Sequence, residues 1–322
     1  MHKVIMAPTE GLEEEMAAIS VAVKLAQRFG ADLHLVRAEA PPLGIETVPR
    51  PPVLNITDQT LLDERVARLR KLEALGNEYQ ALGNIRVTTA LEDGPVTSTL
   101  ADYATKHNVD LIVMSSHCRG GMKRLTLGSV TDYLVRNTNI PVLVVRPSAS
   151  LIEAPPERMF NRIVVPLDAS ELAEEVLSEV SELALKFGST VSLVHILTPE
   201  TYSQKEIMQP GLPWWDEDIA IANSYLEEVA AHLTAQGFTV SKDVVLSDNI
   251  ASAILDYATR TRADIIALAT RGKGGIGRLV FGSVADEITR RSPISLLVLH
   301  PGHGAVADDA SGRSESGLLA KG

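Results

Sequence analysis

The chain contains two copies of one sequence pattern, and this repeat restricts its fold more than any other feature. Residues 4–36 match residues 162–194 at a constant separation of 158 positions. Residues 102–130 match residues 256–284 at a separation of 154, so a loop between these stretches differs in length. A chain of 322 residues accommodates two domains of ordinary size. The repeat therefore predicts two homologous domains in tandem.

Each copy alternates short apolar segments with stretches of helical periodicity. In the second copy, residues 162–167 read as a strand, Ser170 is predicted to cap the next helix, and Gly188 to end it. The other strands of this copy are predicted at residues 191–197, 240–246, 264–269 and 294–299. Five strands alternating with four helices predict a parallel sheet with helices on both faces. The predicted fold class is α/β, with two tandem doubly wound five-stranded parallel sheets of the Rossmann-like type.

The predicted domain boundaries follow from the repeat and from local composition. The first domain is placed at residues 1–147 and the second at residues 161–300. Residues 148–160, which include two adjacent prolines, are predicted as a linker. Residues 301–322 are rich in Gly, Ala, Ser and Asp, so we predict a disordered tail there.

The composition restricts the function classes. The formal net charge is −11 and no segment is strongly basic, which argues against nucleic-acid binding. No stretch approaches the ~20 apolar residues of a membrane span, and the first residues lack the pattern of a signal peptide. The single cysteine, Cys118, cannot form a disulfide within the chain. We therefore expect a cytoplasmic protein that contacts neither nucleic acid nor membrane.

The expected ligand position follows from the predicted sheet. In an open parallel sheet, ligands bind beyond the carboxyl ends of the strands, where the strand order reverses. If the first and fourth strands are neighbours there, Asp168 after the first strand lies beside the loop 269–278 after the fourth. Small residues in this loop let the backbone approach an anion, and Gly282-Ser283 begins a helix whose first N–H groups favour phosphate. Positive charge in the same loop comes from Arg271, Lys273 and Arg278.

This arrangement predicts a ligand that contains phosphate. Because a carboxylate repels phosphate, Asp168 is expected to face the base or the ribose of a nucleotide. A purely structural alternative stays open. Glycine-rich turns also occur because the turn is tight, and Ser283 can serve as a helix cap alone.

The second copy resembles the universal stress protein family in its tandem form. The family loop reads glycine, two residues, glycine, nine residues, then glycine with serine or threonine. At that spacing the second copy has Ala269, Gly272, Gly282 and Ser283. Asp168 matches the family's adenine-side aspartate, and residues 192–196 resemble its second strand. The resemblance covers both copies and implies domains of the adenine nucleotide alpha hydrolase type.

The resemblance also implies a function. It implies a regulatory protein of the stress response that binds ATP, alone or with Mg²⁺, and that is not a classical enzyme. Neither catalytic residues nor protein metal ligands are expected. With the charged loop residues included, the predicted ATP-binding residues of the second copy are Pro166, Asp168, His195, Ala269, Arg271, Gly272, Lys273, Gly275, Arg278, Gly282, Ser283 and Val284.

The first copy departs from the family pattern. Ser115 and Cys118 stand where the family has two glycines, and Glu10 replaces the aspartate. A side chain at Cys118 is expected to obstruct the close approach of backbone and phosphate. Cys118 itself is interpreted either as an inert apolar residue or as a redox sensor. We expect ATP mainly in the second domain and a weaker first-domain site at Pro8, Glu10, Ser115, Cys118, Gly121, Gly128 and Ser129.

Two other function classes stay open. Signature loops of ATP-pyrophosphatases, nucleotidyltransferases and Walker-type ATPases are missing, which leaves slow ATP hydrolysis without an identified base. A scaffold or small-ligand binder that has lost nucleotide is the other alternative. The expected partners are an adenine nucleotide and an unidentified regulatory protein. The resemblance further implies that the fifth strands, residues 141–145 and 294–299, join the two copies and serve homo-oligomer formation through their edges.

Overall fold

One continuous sheet runs through the protein, whose structure is a computed structural model. The structure describes residues 2–39, 55–116, 127–146, 154–198, 214–270 and 281–300. The strands of the first half are β1 (Val4–Pro8), β2 (Asp32–Glu39), β3 (Val87–Asp93), β4 (Leu111–Ser115) and β5 (Val142–Val145). The strands of the second half are β6 (Arg162–Pro166), β7 (Thr190–Leu197), β8 (Thr239–Leu246), β9 (Ile265–Ala269) and β10 (Ser295–Leu299).

Helices connect the strands in both halves. The first half contains α1 (Met16–Phe29), α2 (Asn55–Gly83), α3 (Val96–Lys106) and α4 (Ser129–Asn137). The second half contains α5 (Glu171–Glu174), α6 (Val176–Phe187), α7 (Trp214–Ala235), α8 (Ile250–Arg260) and α9 (Ser283–Arg291). Each strand predicted for the second copy is present, with ends within one residue of the prediction. The first helix of this copy is divided at Glu175 into α5 and α6, where the sequence predicts a single helix.

The order of the strands confirms the predicted fold class. The sheet runs β3-β2-β1-β4-β5-β10-β9-β6-β7-β8. Within each half the neighbouring strands are parallel. The order reverses between β1 and β4 in the first half and between β6 and β9 in the second, which is the doubly wound arrangement. The first and fourth strands are therefore neighbours in both copies, as predicted.

The two halves join through their fifth strands. β5 pairs with β10 in antiparallel register, with Leu143 opposite Leu297. β5 also pairs with β4, and β10 with β9, so both edges of each fifth strand are used within the chain. The expected pairing of the two copies is present. The fifth strands cannot also pair with those of a second chain, as the sequence led us to expect, because a strand has only two edges and both are occupied.

Residues that alternate along the strands enter two cores on opposite faces of the sheet. Ile5 and Ala7 belong to one core and Met6 to the other. The first core receives side chains from α1, α2, α5, α6 and α7, and the second from α3, α4, α8 and α9. Each core combines residues of both halves, so the halves share their apolar interior. Aliphatic side chains dominate both, as expected of a parallel sheet that is covered on both faces.

The ends of the helices around β6 follow local sequence rules. The hydroxyl of Ser170 accepts a hydrogen bond of 3.2 Å from the backbone N–H of Ala173 and so caps α5. Gly188 ends α6 in the left-handed conformation with φ of 66°, which a glycine adopts without steric cost. Both residues act as predicted.

The end of the predicted linker packs into the first core. Met159 and Phe160 are both buried, and Phe160 has no exposed surface. The Phe160 ring contacts the Phe187 ring edge-to-face at 5.1 Å between centroids, and Phe187 contacts Phe29 of the first half at 6.4 Å. An aromatic cluster therefore fixes the segment before β6 between α1 and α6.

A buried arginine lies at the junction of the two halves. Arg146, directly after β5, is 2 % exposed, and burial lowers its pKa to about 10. Its guanidinium donates a hydrogen bond of 2.5 Å to the Thr289 carbonyl near the end of α9, and its backbone N–H donates to the Ser295 hydroxyl. A cation is favourable at the carboxyl end of a helix, so Arg146 stabilises the position of α9 against β5.

Two histidines and a tyrosine form a cluster on the first half. The Tyr103 hydroxyl and the His34 Nδ1 atom share a hydrogen bond of 3.0 Å, and the Tyr103 ring stacks on His107 at 4.1 Å. Burial lowers the pKa of His34, and His107 lowers it further, while Asp32 opposes the shift and Arg86 adds to it. The fold therefore favours the neutral form of the His34 imidazole.

We expect acid to destabilise the protein through His34. Below the unfolded pKa of about 6.5, the unfolded chain binds a proton that the folded chain resists, so the free energy of unfolding falls as pH decreases. Urea midpoints at pH 7.5 and pH 5.5 measure this loss. The variant His34→Ser carries the residue of the second copy, Ser192, and should lose less between the two pH values than the wild type. An equal loss in His34→Ser and in the wild type would show that His34 is not the source of the destabilisation by acid.

Candidate functional site

The pairing of β6 with β9 brings the predicted site residues of the second copy to one edge of the sheet. Val164 lies opposite Ile266 in the parallel register. Both strands therefore point their carboxyl ends the same way, and the chain continues from Pro166 into Asp168 on one side and from Ala269 into Thr270 on the other. This crevice is where an open α/β sheet binds ligands.

The turn after β6 is fixed by its own polar groups. The Asp168 Oδ1 atom accepts hydrogen bonds from the Ser170 N–H at 3.1 Å and from the Ser170 hydroxyl at 2.5 Å. Ala169 between them has φ of 60°, an uncommon conformation for a residue with a Cβ atom. Asp168 is partly exposed, so its carboxylate is held at the rim of the crevice.

The loop after β9 closes through a backbone hydrogen bond. The N–H of Gly282 donates to the carbonyl of Thr270 at 2.8 Å, and Thr270 is fully buried. A Cβ atom at position 282 would lie 3.0 Å from that carbonyl oxygen, which is tighter than normal packing allows. A side chain at position 282 would therefore push the two loop ends apart by a few tenths of an ångström, and glycine avoids this shift. The N–H of Gly282 is thus used within the chain, and the N–H groups of the residues that follow it begin α9.

The backbone N–H groups that follow Gly282, at the amino end of α9, are placed to bind a ligand. Gly282 is the capping residue of α9 in extended conformation, and Ser283 and Val284 form the first two helical positions. The N–H groups of a first helical turn have no acceptor within the helix, and the helix dipole adds partial positive charge there. Ser283 and Val284 are thus placed as an anion site requires.

Tyr225, which the sequence did not indicate as a site residue, lies beside the predicted site residue His195. The rings of His195 on β7 and Tyr225 on α7 contact each other at 6.3 Å between centroids. The Tyr225 hydroxyl donates a hydrogen bond of 2.8 Å to the Glu174 carboxylate. Burial raises the pKa of Tyr225, and Glu174 and Asp168 raise it further, so the phenol stays protonated. No motif marks Tyr225, because it lies in a helix of ordinary composition.

The corresponding turn of the first copy, which follows Pro8, is closed around a carboxylate of its own. The Glu15 Oε2 atom accepts hydrogen bonds from the Thr9 hydroxyl and the Glu10 N–H, both at 2.8 Å. Gly11 N–H donates to the same oxygen at 3.2 Å. Glu15 corresponds to Ala173 in the second copy, so this internal anion belongs to the first copy alone.

An ionic cluster occupies the neighbouring strand ends of the first copy. Glu39 at the end of β2 pairs with Arg68 at 2.8 Å and with Arg65 at 3.3 Å, and both arginines come from α2. Arg65 also pairs with Asp93 at the end of β3, and Arg37 donates to the Glu10 carbonyl. In the second copy, the paired strand ends are instead Leu197 and Leu246.

The remaining residues of the weaker first-copy site lie around α4. Ser115 ends β4, and its carbonyl accepts a hydrogen bond of 3.1 Å from the Thr131 hydroxyl. Gly128 caps α4 in extended conformation and Ser129 begins it, as Gly282 and Ser283 do for α9. The structure thus gives both copies the same helix start and a different chemistry at the first and second strands.

Several predicted positions lie outside the described residues. They are Arg271, Gly272, Lys273, Gly275 and Arg278 of the second copy, Cys118 and Gly121 of the first, and the tail 301–322. Within the described ranges, no helix has the length and apolar content that crossing a membrane requires. The same ranges contain no group of three or more His, Cys, Asp or Glu side chains arranged to hold a metal ion.

Comparison with known proteins agrees with the repeat and the sheet. The sequence model of the universal stress protein family matches residues 1–146 and 159–300. A universal stress protein of Mycobacterium tuberculosis is 23% identical over 305 residues, which are 92% of this chain and 96% of that protein. One from Methanocaldococcus jannaschii is 26% identical over 148 residues, 45% of this chain and 83% of that protein.

Solved structures show the same fold. The crystal structure of a universal stress protein from Archaeoglobus fulgidus matches with a TM-score of 0.67 at 17% sequence identity, covering 93% of this chain and 98% of that chain. The family model matches most of the sequence in two successive stretches, one in each half of the sheet. The chain therefore belongs to the universal stress protein family.

Proposed function

We propose that the protein is a regulatory universal stress protein that binds ATP in its second domain, with or without Mg²⁺. The observation that carries this proposal is the position of α9. Its first amides, at Ser283 and Val284, lie at the carboxyl edge of β9, beside β6 and the turn that holds Asp168. This combination offers a phosphate end and a separate polar end for the base and ribose.

The loop sequence supports the same proposal. Ala269, Gly272 and Gly282 keep the spacing of the family's nucleotide loop, and the close contact at Gly282 explains why this position is glycine. Arg271, Lys273, Gly275 and Arg278 are proposed to complete the phosphate end. Pro166, His195 and Asp168 are proposed to contribute to the adenine and ribose end.

The first domain is proposed to have lost this ability. In the first copy, Glu15 occupies the amides of the β1 turn, and the Glu39 cluster places charged groups at the strand ends where the second copy has leucines. A second anion would be repelled by these carboxylates, and an adenine would lose the apolar surface. This difference favours a single nucleotide per chain. The domain boundaries at residues 147 and 161 and a cytoplasmic location remain predictions.

A thermal-shift titration tests the proposal. At an ATP concentration about a hundred times the Kd, binding adds about 2.7 kcal/mol to the free energy of unfolding, which corresponds to a Tm increase of about 4 °C for a chain of this length. ADP, AMP and NADH serve as comparison ligands, each with Mg²⁺ and with EDTA. Release of phosphate from the added ATP would assign the slow ATPase alternative. Absence of any shift with ATP would favour the scaffold alternative and contradict the proposal.

A further inference from the structure

An arginine of the first domain reaches the helix that begins the proposed anion site. Arg136 lies in the last turn of α4, and its guanidinium pairs with Asp286 in the first turn of α9. The guanidinium carbon also lies 4.3 Å from the centroid of the Phe281 ring. Phe281 directly precedes the capping residue Gly282, so the contact falls two residues before the start of α9.

The charges at this contact are held in place by one another. Burial by itself lowers the pKa of Arg136, but hydrogen bonds to Asp132 and Asp286 outweigh it and raise the pKa. Burial would raise the pKa of Asp286, and hydrogen bonds from Arg290 and Arg136 reverse the shift. The planar guanidinium donates from its edge to carboxylates while its face covers the aromatic ring. Arg136 therefore makes both contacts at once.

The contact is not repeated by the other copy. Arg290 of α9 corresponds to Arg136 by the repeat, and it pairs with Asp286 one turn earlier in its own helix. Arg290 is 56% exposed, whereas Arg136 is 29% exposed. The first-copy residue that corresponds to Phe281 is Leu127, which has no aromatic ring. The first domain thus contacts the helix start of the second domain through a pair that has no counterpart in the reverse direction.

We propose that Arg136 is a positioning residue of the first domain for the anion site of the second domain. This inference rests on the ATP site proposed above. Phe281 is followed by Gly282, whose N–H donates a hydrogen bond to the Thr270 carbonyl. Ser283 and Val284 come next, and their N–H groups lie in the first turn of α9. By fixing Phe281 and Asp286, Arg136 orients these amides before the ligand arrives, which reduces the ordering cost of binding.

The test compares two arginines at equivalent positions. Arg136→Gln removes the ring contact and the ion pair between the domains, and we expect about a fivefold increase in the Kd for ATP by isothermal titration calorimetry. Arg290→Gln removes an ion pair with the same Asp286 but leaves Phe281 untouched, and the Kd should stay within about twofold of the wild type. The Tm without nucleotide is measured for each variant, since a merely structural role would lower the Tm and leave the Kd unchanged.

A double-mutant cycle separates this pair from its surroundings. Phe281→Leu introduces the first-copy residue and should raise the Kd about as much as Arg136→Gln, while the double variant should show no further rise. Equal effects of Arg136→Gln and Arg290→Gln, an unchanged Kd in Arg136→Gln, or multiplied effects in the double variant would each overturn the inference. Failure of the wild type to bind ATP is seen before any variant is compared, and it would overturn the proposed function together with this inference.

Discussion

Replacement of Phe160 by alanine should lower the free energy of unfolding by about 3–5 kcal/mol. Phe160 has no exposed surface and packs its ring against Phe187, which in turn contacts Phe29 of the other half. Removal of the ring leaves a cavity. The backbone cannot move to fill it, because Phe160 is only two residues from β6, which is held by its hydrogen bonds in the sheet. The loss is expected for both halves, since they share this core.

Urea unfolding followed by far-UV circular dichroism and by fluorescence measures this loss. The control is Leu185→Ala, on the same helix as Phe187 but 73% exposed, which should change the free energy by less than about 0.5 kcal/mol. A loss below about 1 kcal/mol for Phe160→Ala would show that the segment before β6 is a surface linker after all.

Replacement of Gly282 by aspartate should abolish ATP binding while the protein stays folded. Aspartate is a favourable helix cap, so α9 should form, but its carboxylate would stand beside the first amides of the helix, where the phosphates are proposed to bind. Repulsion between like charges at this distance costs several kcal/mol, which corresponds to an increase in Kd of about a hundredfold or more. The Cβ atom also lies close to the Thr270 carbonyl oxygen.

Two further variants separate the causes. Gly282→Ala adds the Cβ atom without the charge and should weaken binding less than aspartate does. Gly128→Asp makes the matching change at the start of α4, and it should leave the Kd for ATP as in the wild type if the nucleotide occupies the second domain. Loss of binding in Gly128→Asp with retention in Gly282→Asp would place the ATP in the first domain. Calorimetry measures the Kd, and circular dichroism checks the helix content.

Much of the sheet could be predicted from the sequence because its signals are local or repeated. Ser170 begins one helix and Gly188 ends the next through contacts within four residues, and the repeat fixes which strands correspond. The reversal of strand order between β6 and β9 follows from the doubly wound pattern and is confirmed. The adjacency of the first and fourth strands was therefore predicted correctly, and the ligand site at their carboxyl ends stays a prediction.

What the sequence could not show depends on contacts between distant segments. The amide of Gly282 is used by Thr270, a fact decided by the return path of the loop and not by the residue types. The partners of Glu39 lie 26 and 29 residues away on α2. Tyr225 reaches Glu174 across 51 positions. Such pairs arise only when helices settle on the sheet, so no local pattern marks them.

The antiparallel junction of β5 and β10 has a consequence for any molecule that recognises this protein. Because the halves run in opposite directions, the crevice beyond β1 and β4 and the crevice beyond β6 and β9 open on opposite borders of the sheet. Strands of about five residues separate the borders by roughly 17 Å, before loops are counted. One small ligand cannot bridge the two borders. A binding protein that approaches one border meets either the Glu39 ion-pair cluster of the first half or the proposed nucleotide site of the second half, and never both.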